Sequence, residues 1–149
     1  MTIKSLLCTA SLLACTLSSP AFAQSEAAAA AAKEAGAVVK ASGLVYRSLK
    51  DGTGAQPTNP SDVVKVHYRG TLPGGKEFDS SYARNAPIDF PLNRVIPCWT
   101  EGVQLMKVGG KAKLTCPPGI AYGANGAGGV IPPNATLHFE VELLGINGK

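Results

Sequence analysis

The chain has 149 residues, 45% of them apolar and 16% charged, which excludes a disordered protein and leaves room for one ordinary domain. Seventeen Gly and eleven Pro argue for many turns and short strands and against a helix bundle. Fourteen basic residues against ten acidic ones give +4, with no basic run and no interleaved aromatics, so no nucleic-acid partner is expected.

Residues 1–23 read as an export signal. Lys4 precedes an apolar stretch over residues 6–17, Ser18-Ser19-Pro20 breaks it, and Ala21-Phe22-Ala23 supplies an A-x-A cleavage site. The stretch is shorter than the roughly 20 residues a membrane span needs. Removal after Ala23 and a periplasmic or secreted product are therefore expected, and the charge falls from +4 to +3 as Lys4 leaves. Leu12-Leu13-Ala14-Cys15 resembles a bacterial lipoprotein box, and a lipoprotein anchored through Cys15 is the alternative. Leu at the second position fits that box poorly. No other segment is apolar for long enough to form an integral membrane segment.

Export leaves Cys98 and Cys116 in the product. They lack CxxC spacing and neighbouring histidines, so zinc is not suggested, and no cofactor or metal is expected. An even pair in an oxidising compartment is a disulfide candidate, the alternative being two buried small hydrophobes.

Residues 24–42 form an Ala-rich, low-complexity stretch. Alanine favours helix, but so short a helix without an amphipathic face is marginal alone, and the stretch reads as a tether. From residue 43 to 149 the texture is that of a domain. Leu44-Val45-Tyr46 opens it, and Asp51-Gly52-Thr53-Gly54 turns the chain. Val64, Val66 and Tyr68 alternate with Lys65, His67 and Arg69 as in a half-buried strand. Pro73-Gly74-Gly75 marks a turn before Lys76-Glu77-Phe78-Asp79. A helix is predicted over residues 98–106, closed by Gly109-Gly110. Ala112, Leu114 and Cys116 share one strand face. Leu137, Phe139, Val141 and Leu143 share another, with His138, Glu140 and Glu142 opposite. Antiparallel strands with one short helix on their apolar face make an α+β arrangement.

Several apparent motifs fail on their chemistry. Gly70 to Lys76 has the G-x4-G-K spacing of a phosphate loop, but Glu77 stands where a magnesium-binding hydroxyl is needed and no helix follows. The Gly-rich run from Gly123 to Gly129 lacks dinucleotide-loop spacing. Ser80, Ser81, Asp79 and His67 lack a G-x-S-x-G elbow, and alternation turns His67 away from Tyr68. What remains is an apolar set with a few hydrogen-bonding groups: Tyr68, Phe78, Phe90, Val95, Ile96, Trp99, Tyr122, Ile131 and Phe139. Composition alone would read it as the core of a small domain.

The order of the motifs says more. Val66-His-Tyr-Arg-Gly70, Lys76-Glu-Phe-Asp-Ser-Ser81, Val95-Ile-Pro-Cys-Trp99, Ala121-Tyr-Gly123, Ile131-Pro-Pro-Asn-Ala-Thr136 and Phe139-Glu-Val-Glu-Leu143 resemble the FKBP-type peptidyl-prolyl isomerases, over about residues 43–146. The exported bacterial branch with the macrophage infectivity potentiator proteins is the most similar. The resemblance implies a five- or six-stranded antiparallel sheet wrapped around one short helix, with the active pocket between them. It implies a rotamase acting on proline-containing polypeptides, with macrolide immunophilin ligands as small-molecule binders and protein folding as the setting; the alternative is an FKBP-fold peptide-binding chaperone or virulence factor with little isomerase activity. Asp79, Ile96, Trp99 and Tyr122 fall on its catalytic positions, with Trp99 as floor and the Ile96 N–H and Tyr122 hydroxyl as carbonyl donors. Tyr68, Phe78, Phe90, Val95, Ile131 and Phe139 fall on its binding positions, and Arg84 on that of an ion-pair partner for Asp79. Ile88 replaces a rim Phe of many relatives and Arg94 a common acidic residue. The long dimerisation arm of the potentiator proteins is absent, which implies a monomer.

Overall fold

Alternation builds the frame of the molecule. The computed structural model describes residues 20–149. The elements in chain order are α1 (Pro20–Ala32), β1 (Ala37–Val39), β2 (Val45–Lys50), β3 (Val63–Thr71), β4 (Glu77–Ser80), β5 (Ile88–Pro91), α2 (Pro97–Val103), β6 (Lys111–Cys116) and β7 (Leu137–Ile146). All strand pairs are antiparallel, in the order β1-β2-β6-β7-β3-β4, with β5 also on β3. In β3, Val64, Val66 and Tyr68 are buried and Lys65 and Arg69 exposed, while β7 buries Leu137, Phe139, Val141 and Leu143. β3 runs along β7 on one side. On the other it pairs first with β5, Val64 facing Phe90, and then with β4, Gly70 facing Asp79. The gap between β5 and β4 opens the sheet over its apolar face.

That face is covered by α2. Pro97 starts the helix, where its missing N–H costs nothing. Cys98, Trp99, Gly102 and Val103 are its buried residues, a spacing of three to four that defines one face. Gly102 permits the approach: a Cβ there would lie 2.8 Å from Leu114 Cδ2. Cys98 and Cys116 are joined by a disulfide, with their Cα atoms 5.8 Å apart, which ties the start of α2 to the end of β6. The helix ends at Val103, three residues before the predicted Met106. Leu105 and Met106 donate to the carbonyls three residues back, so the last turn tightens.

The Ala-rich segment is more than a tether. β1 extends the sheet beside β2, and Ala31 is buried. The Glu34 carboxylate lies 2.9 Å from Arg47 Nη1 and 2.7 Å from Lys113 Nζ. With β1 and β5 the sheet has seven strands instead of the five or six expected. The export signal lies outside the described residues over positions 1–19, and its expected cleavage site falls within α1. Among the described residues no helix is long and apolar enough to cross a membrane.

Candidate functional site

Four strands, the 3₁₀ turn over Leu92–Arg94 and α2 surround a cavity of about 600 Å³. Trp99 is its centre. The indole is 4% exposed, and three rings meet it edge-on: Tyr68 at 5.3 Å, Phe139 at 5.4 Å and Phe90 at 5.5 Å between centroids. Phe78 extends the wall, 5.6 Å from Phe139 and nearly perpendicular to it. Such edge-to-face contacts fix ring orientations beyond what apolar burial alone supplies. Trp99 Nε1 is buried and has no hydrogen-bond partner among the described residues.

Gly70 makes room for this wall. A Cβ at that position would stand 2.5 Å from Phe78 Cζ and 3.0 Å from Phe139 Cε1, closer than side-chain atoms pack.

The polar side of the cavity is built on the β3–β4 pairing. Tyr68 donates its hydroxyl hydrogen to Asp79 Oδ2. Arg84 donates to Asp79 Oδ1 at 2.5 Å and to the Tyr68 oxygen at 3.0 Å, and the Ser80 N–H donates to Oδ1 at 2.9 Å. Burial pushes the Asp79 carboxyl upward, but the hydrogen bonds from Tyr68 and Arg84 and the Arg84 charge outweigh it and hold the group below the usual carboxylate range. Burial and its bond to Asp79 push the Tyr68 hydroxyl upward, so it stays a donor. Asp79 is thus an ionised carboxylate with both oxygens engaged.

Two donors are left for a ligand. The Ile96 N–H makes no hydrogen bond among the described residues, although its carbonyl accepts from Trp99 and Thr100 at the start of α2. Tyr122 is 40% exposed, and its hydroxyl likewise has no partner among those residues. Val95 and Ile96 complete the apolar rim, joined by Ile88 and Arg94.

Nine of the ten candidate pocket residues named from the sequence therefore line one cavity. Ile131 does not: it is buried in the core, held by paired backbone bonds to Ala127. The Tyr68–Asp79 hydrogen bond went unforeseen, since it depends on the register that sets Gly70 opposite Asp79. The rejected nucleophile set is divided between two places. His67 Nδ1 contacts the fully buried Ser81 Oγ at 2.9 Å and its ring stacks on Tyr82, whereas Asp79 serves the cavity. Among the described residues no cluster of His, Cys, Asp and Glu could hold a metal ion.

The family described as FKBP-type peptidyl-prolyl cis-trans isomerase matches residues 54–144. The FKBP-type isomerase FkpA of Aeromonas hydrophila is 59% identical over 103 residues, which is 69% of this chain and 38% of that one. FK506-binding protein 1A of Neurospora crassa is 48% identical over 101 residues, 66% of this chain and 84% of that one. The crystal structure of FkpA from Escherichia coli has a TM-score of 0.79 at 50% identity, covering 83% of this chain and 57% of that one. The chain spans well under half the length of the Aeromonas relative. Fold, pocket and similarity agree: the chain belongs to the FKBP-type peptidyl-prolyl cis-trans isomerase family.

Proposed function

We propose that this chain is a peptidyl-prolyl isomerase that accelerates rotation about X–Pro bonds in exported proteins. The observation that carries the proposal is an aromatic cavity floored by Trp99, with two donors that have no partner among the described residues and one fully engaged carboxylate at its edge. X–Pro rotation must cross a barrier near 18–20 kcal/mol because the twisted amide loses its resonance. A planar amide carries charge separation that water stabilises, and an aromatic cavity withholds that stabilisation. The twisted amide is less polar and loses less. A rate gain of about 10⁶ needs about 8 kcal/mol of differential stabilisation, to which desolvation and complementarity to the twisted geometry both contribute. The Ile96 N–H and the Tyr122 hydroxyl would hold the flanking carbonyls. Asp79, kept ionised by Tyr68 and Arg84, would polarise the site beside the turning bond. No proton transfer, metal or cofactor enters this scheme.

The leader, the oxidised cysteine pair and the similarity to FkpA proteins support work outside the cytoplasm, and the same reading has cleavage after Ala23 and a monomeric product. FK506-type macrolides are the expected competitive ligands, in keeping with the name of the Neurospora relative. The test is refolding of a protein limited by a proline isomerisation. The purified chain should speed the slow phase at substoichiometric amounts, and a macrolide should abolish the effect. Binding of unfolded chains without acceleration would mean a peptide-binding chaperone instead.

A further inference from the structure

Arg94 is the one charged residue on the cavity wall that has no partner. Asp79, the other charged wall residue, is engaged by Arg84. Arg94 takes part in no hydrogen bond or ion pair among the described residues. It is exposed at the end of the Leu92–Arg94 turn, two positions before the free N–H of Ile96. Two acids on adjoining segments are engaged elsewhere. Glu101 accepts from Ser42 Oγ at 2.5 Å, and Asp62 accepts from the backbone of Thr58 and Asn59. Asp89 lies between the wall residues Ile88 and Phe90 on β5, where strand alternation turns it to the opposite side.

A second, open cavity of about 630 Å³ adjoins this rim, lined in part by Asn93, Val95, Pro97, Thr100 and Gln104. Val95 lines both cavities. A polypeptide with its proline over Trp99 and a carbonyl on the Ile96 N–H therefore has an exit over Val95, and Arg94 stands beside it. An extended chain advances about 3.3–3.6 Å per residue. One or two residues beyond the bound carbonyl thus remain within reach of the Arg94 side chain. A guanidinium presents a planar fork that matches a carboxylate.

We infer that Arg94 is a specificity residue that favours polypeptides carrying an acidic side chain within two residues of the proline. The inference rests on the isomerase reading of the site. Since the donor set at the rim has no acid of its own left over, a substrate carboxylate is the group that completes it.

The test uses magnetisation-exchange NMR on proline peptides that differ only by Glu, Gln or Lys, scanned over the two positions on each side of the proline. For the unaltered protein, kcat/KM at one or more positions should be about threefold higher with Glu, the scale of a partly shielded ion pair. The advantage should shrink as salt rises. Arg94→Gln should remove it, and Arg94→Glu should reverse it in favour of Lys peptides. Equal turnover of Glu and Gln peptides at every position, or an advantage that survives Arg94→Gln, overturns the inference and leaves the isomerase reading intact. No turnover of any peptide overturns both.

Discussion

The phenolic oxygen of Tyr68 and the carboxylate of Asp79 share the Arg84 guanidinium, which reaches Asp79 Oδ1 at 2.5 Å and Tyr68 at 3.0 Å. This pairing joins a core strand residue, 5% exposed, to a charge at the cavity mouth. The carboxylate is positioned from beneath by the fold and neutralised from outside by Arg84. Removing it should damage the site more than the core. Asp79→Leu is expected to lower kcat/KM by at least about tenfold, or about 1.4 kcal/mol in the transition state. The urea midpoint should move little. Phe139→Ala, by contrast, should cost about 3–5 kcal/mol of stability as well as activity. Equal activity loss per unit of destabilisation in both variants would mean that the cavity is only core.

The same group sets the pH behaviour. Asp79 in the folded protein sits below its ordinary value, near 3.9 in an unfolded chain. Its stabilising contribution is therefore complete above that value and is lost as pH falls through the lower folded one. Tyr68 is shifted upward, so its contribution is complete below about pH 10 and is lost only as pH rises through the raised folded value. Turnover should be flat from pH 6 to 8. His138 is the contrast: burial and Lys113 lower it. Its share of stability is present above about pH 6.5 and lost as pH falls through the folded value. Thermal midpoints measured against pH should show that acid-side decline, and kcat/KM over pH 6–8 should not.

Gly70 separates wall geometry from wall chemistry. Gly70→Ala adds a methyl 2.5 Å from Phe78 Cζ, which must push the ring toward the ligand space. The expected outcome is weaker macrolide binding together with a stability loss of about 1–3 kcal/mol from overpacking. Calorimetric titration with a macrolide, set beside a melting curve, measures both.

The disulfide should matter for stability before it matters for chemistry. It closes a loop of 18 residues, for which chain-entropy reasoning gives about 3 kcal/mol. Denaturant titrations with and without reductant should differ by about that amount, and the Cys98→Ala/Cys116→Ala variant should follow the reduced curve. Mass spectrometry after alkylation of the native, non-reduced protein should find no free thiol in the product.

What the sequence made legible follows from the kind of signal each element carries. β3 and β7 alternate cleanly, and Pro97 with Gly109-Gly110 brackets α2, so the wall residues on these elements could be assigned to one face. The motif order then supplied Phe78, Asp79 and Tyr122, which no periodicity would have joined to Trp99. β5 offers a single alternation before Pro91 and was passed over. The docking of residues 31–39 was also missed. It depends on one small side chain, Ala31, and on the ion pairs of Glu34 with Arg47 and Lys113, 13 and 79 residues away. Such anchors leave no apolar stripe to read. Ile131 shows a difference of another kind. Its motif fits the pocket set, but in the structure it is buried beside the Ala127 bridge and is not on the cavity wall.

The most direct test of the account is magnetisation exchange between the cis and trans forms of a Leu-Pro peptide, recorded from pH 6 to 8. Uncatalysed, this exchange takes roughly 10–100 s and is invisible on the timescale of the experiment. With substoichiometric protein the account predicts strong exchange cross-peaks, a rate nearly constant over the range, and loss of both on adding a macrolide. Exchange at the uncatalysed rate, or a catalysed rate that follows a single protonation between pH 6 and 8, would contradict it.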